Sequence, residues 1–229
     1  MALTQVNLGM LDDTGRLGLG TSPPTSSHRI ALDNDSNYGG IEFKQSGARV
    51  GQIIQDGVGN LFVDANSNNA GGSLQLRNNY STSLKIDSAG RVTTPNQPSF
   101  HAYSNANLNH GTTDTKYVWN LTRHNIGSHY DTSNGRFTAP IDGRYYFNVS
   151  ALQNVGPTSY YTRVWLYKNG SVFLDGLNTQ ALQSGYGRLD IDAVVEASAG
   201  DYFETYFVSN NGSAFVYATY SWFSGHLLG

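Results

Sequence analysis

The aromatic residues of this 229-residue chain are spread so unevenly that they limit where a packed core can form. Of its 28 aromatics (3 Trp, 15 Tyr, 10 Phe), only Tyr38, Phe43, Phe62 and Tyr80 precede residue 98, leaving 24 for the rest. Aromatic side chains bury more area than any others. The C-terminal part is therefore equipped to close a core of its own, and the N-terminal part is poorly supplied for one. The Thr94-Pro95-Asn96-Gln97-Pro98 stretch, punctuated by two prolines, divides the chain into regions 1–97 and 98–229.

Both regions read as all-β. Glycine is frequent (26 residues), and glutamate is confined to Glu42, Glu196 and Glu204. Asn, Ser and Thr fill the gaps between short apolar runs, a vocabulary of strands and turns. No 3.6-residue amphipathic period extends beyond about two turns. In region 1–97 the clearest strands are Ile41–Lys44, Asn60–Asp64, Leu74–Arg77 and Leu84–Asp87. They are separated by Asp56-Gly57, the Asn66–Gly72 cluster and Ser88-Ala89-Gly90. Each strand offers two or three apolar side chains, too few to offset chain entropy in a single copy. Three chains wound about one axis would pool them into a thin shared core. A small monomeric β-domain or a partly disordered stalk is the alternative.

Several function classes drop out on composition. There is no cysteine, so disulfides and Cys-type zinc or thiol chemistry are excluded. A formal charge of −3 lacks the basic stripe that nucleic-acid binding needs, so nucleic acid is not an expected partner. Met1–Met10 has neither a basic n-region nor an apolar h-region, and no apolar run approaches a membrane span. The expectation is synthesis in a host cytoplasm without membrane insertion, any surface role being reached by assembly.

From Thr115 the strands lengthen. Tyr145–Leu152, Tyr161–Tyr167, Leu189–Val195, Tyr202–Val208 and Ala214–Tyr220 are rich in β-formers, and Lys168-Asn169-Gly170-Ser171 reads as a hairpin turn. The Asn210-Asn211-Gly212 stretch reads as a second hairpin turn, between the last two strands. Long antiparallel strands with no intervening helix predict a sandwich.

The spacing of Trp119, Asn125, Tyr130, Phe137, Gly143, Tyr145 and Phe147, with Phe223-Ser224-Gly225-His226-Leu227-Leu228 at the end, resembles the signature of the complement C1q-type globular domain. That domain is related to the tumour necrosis factor type. The resemblance runs from Pro98 to Gly229. Trp119 stands where the family has phenylalanine, and Val149 where it has a second aromatic; both remain apolar. The resemblance implies a jelly-roll β-sandwich that forms homotrimers and recognises ligands rather than catalysing a reaction. Tyr145, Phe147 and Val149 lie two apart and share one strand face, so the signature aromatics read as core and subunit-interface residues. Gly15–Pro24 and Ile86–Pro95 resemble segments of bacteriophage tail fibres, although two ordinary β-turns would also account for their glycines.

Chemistry-bearing clusters are sparse. Of the histidines His101, His110, His124 and His129, the last two would face opposite sides of a strand, which is wrong for a chelating pair; only a loop would bring them together. The acids Asp190 and Asp192 fit a solvated or interface strand face. No nucleophile elbow, His-Glu-x-x-His, Walker loop or dinucleotide fingerprint is present. No enzyme and no organic cofactor is therefore expected. Some members of the resembled family bind calcium near the trimer axis. The matching loop here, Asp175–Arg188, holds Asp175 as its one acid, which keeps calcium open on thin ligand density.

The expected function is a homotrimeric phage fibre or spike protein located in the virion. Its head would bind a host cell-surface glycan or protein receptor, and its N-terminal region would join other virion proteins. A bacterial surface or spore-coat adhesin and a purely structural trimerisation head are the alternatives. Recognition residues favour loops on rigid scaffolds. The candidate ligand contacts are Tyr160 and Tyr186, for flat apolar contact, and Asn178 and Gln183, for amide hydrogen bonds. The Asn105–Thr115 connection is the next candidate.

Overall fold

A computed structural model of the chain describes residues 38–45, 48–56, 60–65, 72–155, 161–178, 185–210, 212 and 214–229. The fibre-like Gly15–Pro24 element and most of the Asn66–Gly72 cluster lie outside these residues. The chain divides into two compact units, Met1–Gly72 and Ser73–Gly229.

In the first unit, β1 (Tyr38–Gln45), β2 (Ala48–Asp56) and β3 (Leu61–Ala65) form a three-stranded antiparallel sheet in that order. Its register aligns Ile41 with Ile53 and Ile53 with Val63, a continuous apolar row along one face. That row is not buried. Every residue of β3 is exposed, Leu61 by 70% and Val63 by 46%.

The second unit opens with a small sheet of β4 (Leu74–Asn78), β5 (Ser81–Ile86) and β6 (Val92–Thr93). Asn79 and Tyr80, at φ 47° and 63°, make the tight turn between the first two. Asp87 accepts the Ala89 and Arg91 amides and pairs with the Arg91 guanidinium at 2.7 Å, closing the next turn.

The sandwich follows. Its strands are β7 (Ser99–Tyr103), β8 (Leu108–His110), β9 (Thr115–Lys116), β10 (Leu121–Ile126), β11 (Tyr130–Asp131), β12 (Arg136–Thr138), β13 (Gly143–Val155), β14 (Thr162–Lys168), β15 (Ser171–Asn178), β16 (Gly185–Ala197), β17 (Tyr202–Ser209), β18 (Ala214–Val216) and β19 (Trp222–Leu227). The larger sheet runs β10-β7-β19-β13-β18-β8, with β16 paired along the free edge of β13. The smaller runs β11-β12-β17-β14-β15, with β9 also on β17. All pairings are antiparallel, and the first sandwich strand, β7, lies beside the last, β19. From β12 onward the chain passes repeatedly between the sheets, a jelly-roll sandwich.

Alternation drives this closure. On β13, Tyr145, Phe147, Val149 and Ala151 are completely buried while Tyr146 and Asn148 face outward. Phe147 meets Phe203 of the opposite sheet with ring centroids 4.5 Å apart, and Phe100 stacks on Tyr130 and Phe137 at 4.8 and 4.9 Å. Burying each such ring contributes about 1.5–3 kcal/mol. Gly225 permits the close approach, because a Cβ there would sit 2.6 Å from the Phe147 ring.

The turn at Asn169-Gly170 joins β14 to β15, with φ 53° and 81° at its two central residues. The second expected hairpin is overturned. β17 belongs to the smaller sheet, whereas β18 pairs β13 and β8 in the larger one, so this connection crosses the sandwich. Local β-propensity cannot register which sheet a strand joins. Residues Ala218–Tyr220, expected to continue that strand, form a 3-10 turn instead.

Candidate functional site

The signature residues are structural in their placement. Trp119 is fully buried and donates its indole N–H to Thr205 Oγ1 at 2.8 Å. Asn125 brackets the backbone of Tyr130, donating to its carbonyl at 2.8 Å and accepting its N–H at 3.2 Å. The Tyr130 hydroxyl donates to the Trp119 carbonyl, and burial drives its ionisation far up. Phe137, Tyr145 and Phe147 are fully buried. At Gly143 the constraint is room rather than backbone conformation: a Cβ would lie 2.9 Å from Leu227 Cδ1 and 3.3 Å from the Gly229 carbonyl.

The expected ligand loop is shorter than its sequence implied. Asp175 and Asn178 belong to β15, and Tyr186 and Arg188 to β16, while 179–184 lie outside the described residues. Tyr160 and Gln183 lie outside the described residues. Tyr186 is 66% exposed, with its ring 5.3 Å from that of Tyr217. Asp175 is not a loop acid. It sits in a strand with Arg163 at 3.4 Å, so a guanidinium opposes the carboxylate that had kept calcium open. The Asn105–Thr115 connection likewise contains a strand, β8.

The histidines separate. His101 and His124 are register partners on adjacent strands, with ring centroids 6.3 Å apart. Burial, then the charges of Arg123 and His124, hold the His101 pKa below its ordinary value. His110 is buried against Phe207, and neither ring nitrogen has a hydrogen-bond partner among the described residues. Burial lowers its pKa to about 4. No group of three or more metal-ligating side chains occurs among the described residues.

Two outward sheet faces carry the remaining chemistry. On the larger sheet, Trp222 donates to Asn148 Oδ1 at 2.6 Å. The Asn148 amide and the Tyr146 hydroxyl both donate to Asp192, at 2.7 and 2.5 Å. Asp190 accepts from Ser150, so the two acids serve strand-face networks. Beside this network His101, Tyr103, Arg123, Thr219 and Trp222 line a cavity of about 240 Å³.

On the smaller sheet, Tyr167 stacks on Tyr206 with centroids 4.0 Å apart at 21°. Trp165 is the register partner of Tyr206. Arg136 lies 3.8 Å over the Tyr202 ring. Glu204, almost wholly buried beneath them, bonds Lys116 at 2.6 Å and Arg136 at 2.8 Å. Burial opposes its ionisation, but the two cations prevail and hold its pKa below the ordinary value. The sequence reading missed this group. Its signal was the outward, alternate positions of two adjacent aromatic strands, Arg163-x-Trp165-x-Tyr167 and Tyr202-x-Glu204-x-Tyr206.

No curated protein matches this chain at a significant level. Among solved structures, the globular domain of zebrafish complement 1qA protein is similar at a TM-score of 0.45 and 17% identity, covering 58% of this chain and 98% of its own. Eiger TNF from S. frugiperda gives 0.45 at 10% identity, covering 58% and 93%, and murine APRIL gives 0.45 at 12%, covering 58% and 99%. The model of the C1q domain matches residues 99–228, more than half of the chain and the whole of the jelly-roll sandwich. The chain belongs to the C1q domain family.

Proposed function

We propose that this protein is a homotrimeric fibre or spike tip of the bacteriophage type. Its C-terminal head binds a glycan receptor on the host cell, and its N-terminal region joins other virion proteins. C1q and tumour necrosis factor-like domains commonly form homotrimers and bind receptors, and they are typically non-enzymatic. The single observation that supports association here is apolar surface left uncovered in one copy. Ile41, Phe43, Leu61, Phe62 and Val63 are exposed in the N-terminal sheet, and Val194 and Tyr220 in the head. Apolar side chains exposed together on one sheet support an interaction surface. The outward face of the larger sheet, with its cavity between Tyr103 and Trp222, offers a second copy a contoured aromatic surface.

Sedimentation equilibrium of the intact chain tests the assembly. The expected mass is three times 24.9 kDa, maintained on dilution. A monomer mass at micromolar concentration overturns it. Adsorption of the labelled trimer to candidate host cells, with loss of adsorption after glycan removal, tests the receptor reading.

A further inference from the structure

We infer that the outward face of the smaller sheet is the saccharide-binding surface of the head, accepting a neutral, hydroxyl-rich glycan across Trp165. This rests on the receptor reading above and gives it a location. Four rings from two adjacent strands share this face. Tyr206 is opposite Trp165 in register and stacked on Tyr167, and Tyr202 lies two residues before Glu204 on β17. Sugars offer both a flat array of C–H groups that lies on an aromatic ring and a rim of hydroxyls that needs donors and acceptors. Aromatic rings with a few placed polar groups match that pair of demands.

The rings are held before any ligand arrives. The Tyr167 hydroxyl donates to Asp114 at 2.8 Å, and burial followed by that bond pushes its pKa up to about 12. The Tyr206 hydroxyl donates to Glu204 at 3.3 Å, and Lys116 and Arg136 clamp that carboxylate from the other side. Fixing contact groups in advance removes ordering cost from binding.

Charge narrows the ligand class. Three cations, Lys116, Arg136 and Arg163, stand against four carboxylates, Glu204, Asp114, Asp175 and Asp131, the last opposite Arg136 in register, so there is no cationic surplus. A sulfated, phosphorylated or uronate sugar would be matched by a cationic surplus, and the balance here suits an uncharged one. The polar pair placed beside Trp165 by register is open to solvent. Asp175 is opposite Trp165 in register, and Arg163 precedes it by two on the same face. Their side chains are 39% and 36% exposed, and their 3.4 Å pairing is long for a charged hydrogen bond. Together they offer an acceptor and a donor to hydroxyls of a ring lying on Trp165.

The test titrates the intact protein with neutral hexasaccharides (malto-, cello- and chito-oligomers), following tryptophan emission and saturation-transfer NMR. At least one probe is expected to give a saturable response. Trp165→Phe should abolish the emission change while melting and trimer mass stay as in the parent. Asp175→Ala, which spares the ring, should weaken binding about tenfold, the loss of one placed polar contact. Silence toward every neutral probe at millimolar concentration overturns the inference. So does a response that survives Trp165→Phe, or binding confined to sialylated or uronate probes. Saccharide binding at Trp165 by a tip that adsorbs to no cell supports this inference and overturns the receptor reading. Undiminished adsorption by Trp165→Phe overturns this inference alone.

Discussion

Residues 38–65 and the C-terminal sandwich are built from the same antiparallel ladders, and they end in opposite states. In the N-terminal sheet the row Ile41, Ile53, Val63 is aligned by register yet stays exposed, because no second layer faces this sheet among the described residues of its unit. In the sandwich, the equivalent row on β13 faces a second sheet, and Tyr145, Phe147 and Val149 are fully buried. Hydrogen-bonded strands alone do not make a core. The second layer does, and it requires side chains large enough to span about 10 Å between sheets. Phenylalanine and tyrosine meet that demand in the head, whereas the short aliphatic row of the N-terminal sheet stays exposed.

The comparison can be broken most directly at Phe147. Its replacement by alanine removes a ring packed against Phe203, Phe137 and Phe223. It should cost about 3–5 kcal/mol per chain, read from denaturant unfolding of the intact protein. An unchanged midpoint would mean that the inter-sheet stack does not hold the head together.

His110 gives the next largest effect. Its folded pKa, about 4, lies below the ordinary 6.5 because burial disfavours the imidazolium. The unfolded chain therefore binds the proton first. This contribution to stability is complete above pH 6.5, falls as the pH drops, and levels off near 4. The linked loss is roughly 3 kcal/mol across that window. His110→Leu should flatten the midpoint-versus-pH curve there, and a curve of unchanged slope would assign the acid sensitivity to other groups.

The smallest effect belongs to the N-terminal sheet. Leu61→Ser, at a position 70% exposed, should leave unfolding of the head within about 0.5 kcal/mol. The same change should lower the trimer fraction in sedimentation. A trimer fraction equal to that of the parent would show that Leu61 is not at a contact between copies.

Much of the head was legible beforehand, for reasons that individual residues make clear. Tyr145, Phe147 and Val149 are two apart, and a period of two needs no knowledge of partners to place them on one face. Asn169-Gly170 encodes its own turn, because both residues tolerate positive φ. The β17–β18 connection was misread because a hairpin and a crossover between sheets have the same local sequence. Asp175 was misplaced because the Asp175-Gly176 pair has the composition of a turn yet lies inside β15. The Trp165–Tyr206 face escaped notice because its members come from strands more than 30 residues apart in the chain, joined only by register.

By itself, then, the sequence determined what is local: the all-β class, the division between aromatic-poor and aromatic-rich regions, the alternation of buried and outward positions, and the spacing that identifies the head. Tertiary structure decided what depends on distant partners. It set Gly225 beneath the Phe147 ring and buried His110 without a hydrogen-bond partner among the described residues. It also drew Lys116 and Arg136 onto Glu204 from strands 88 and 68 residues away. Alternation and turn chemistry act over a few bonds and are written in neighbouring residues. Strand register and sheet membership are settled by packing of the whole sandwich, and they alone determine which outward side chains meet.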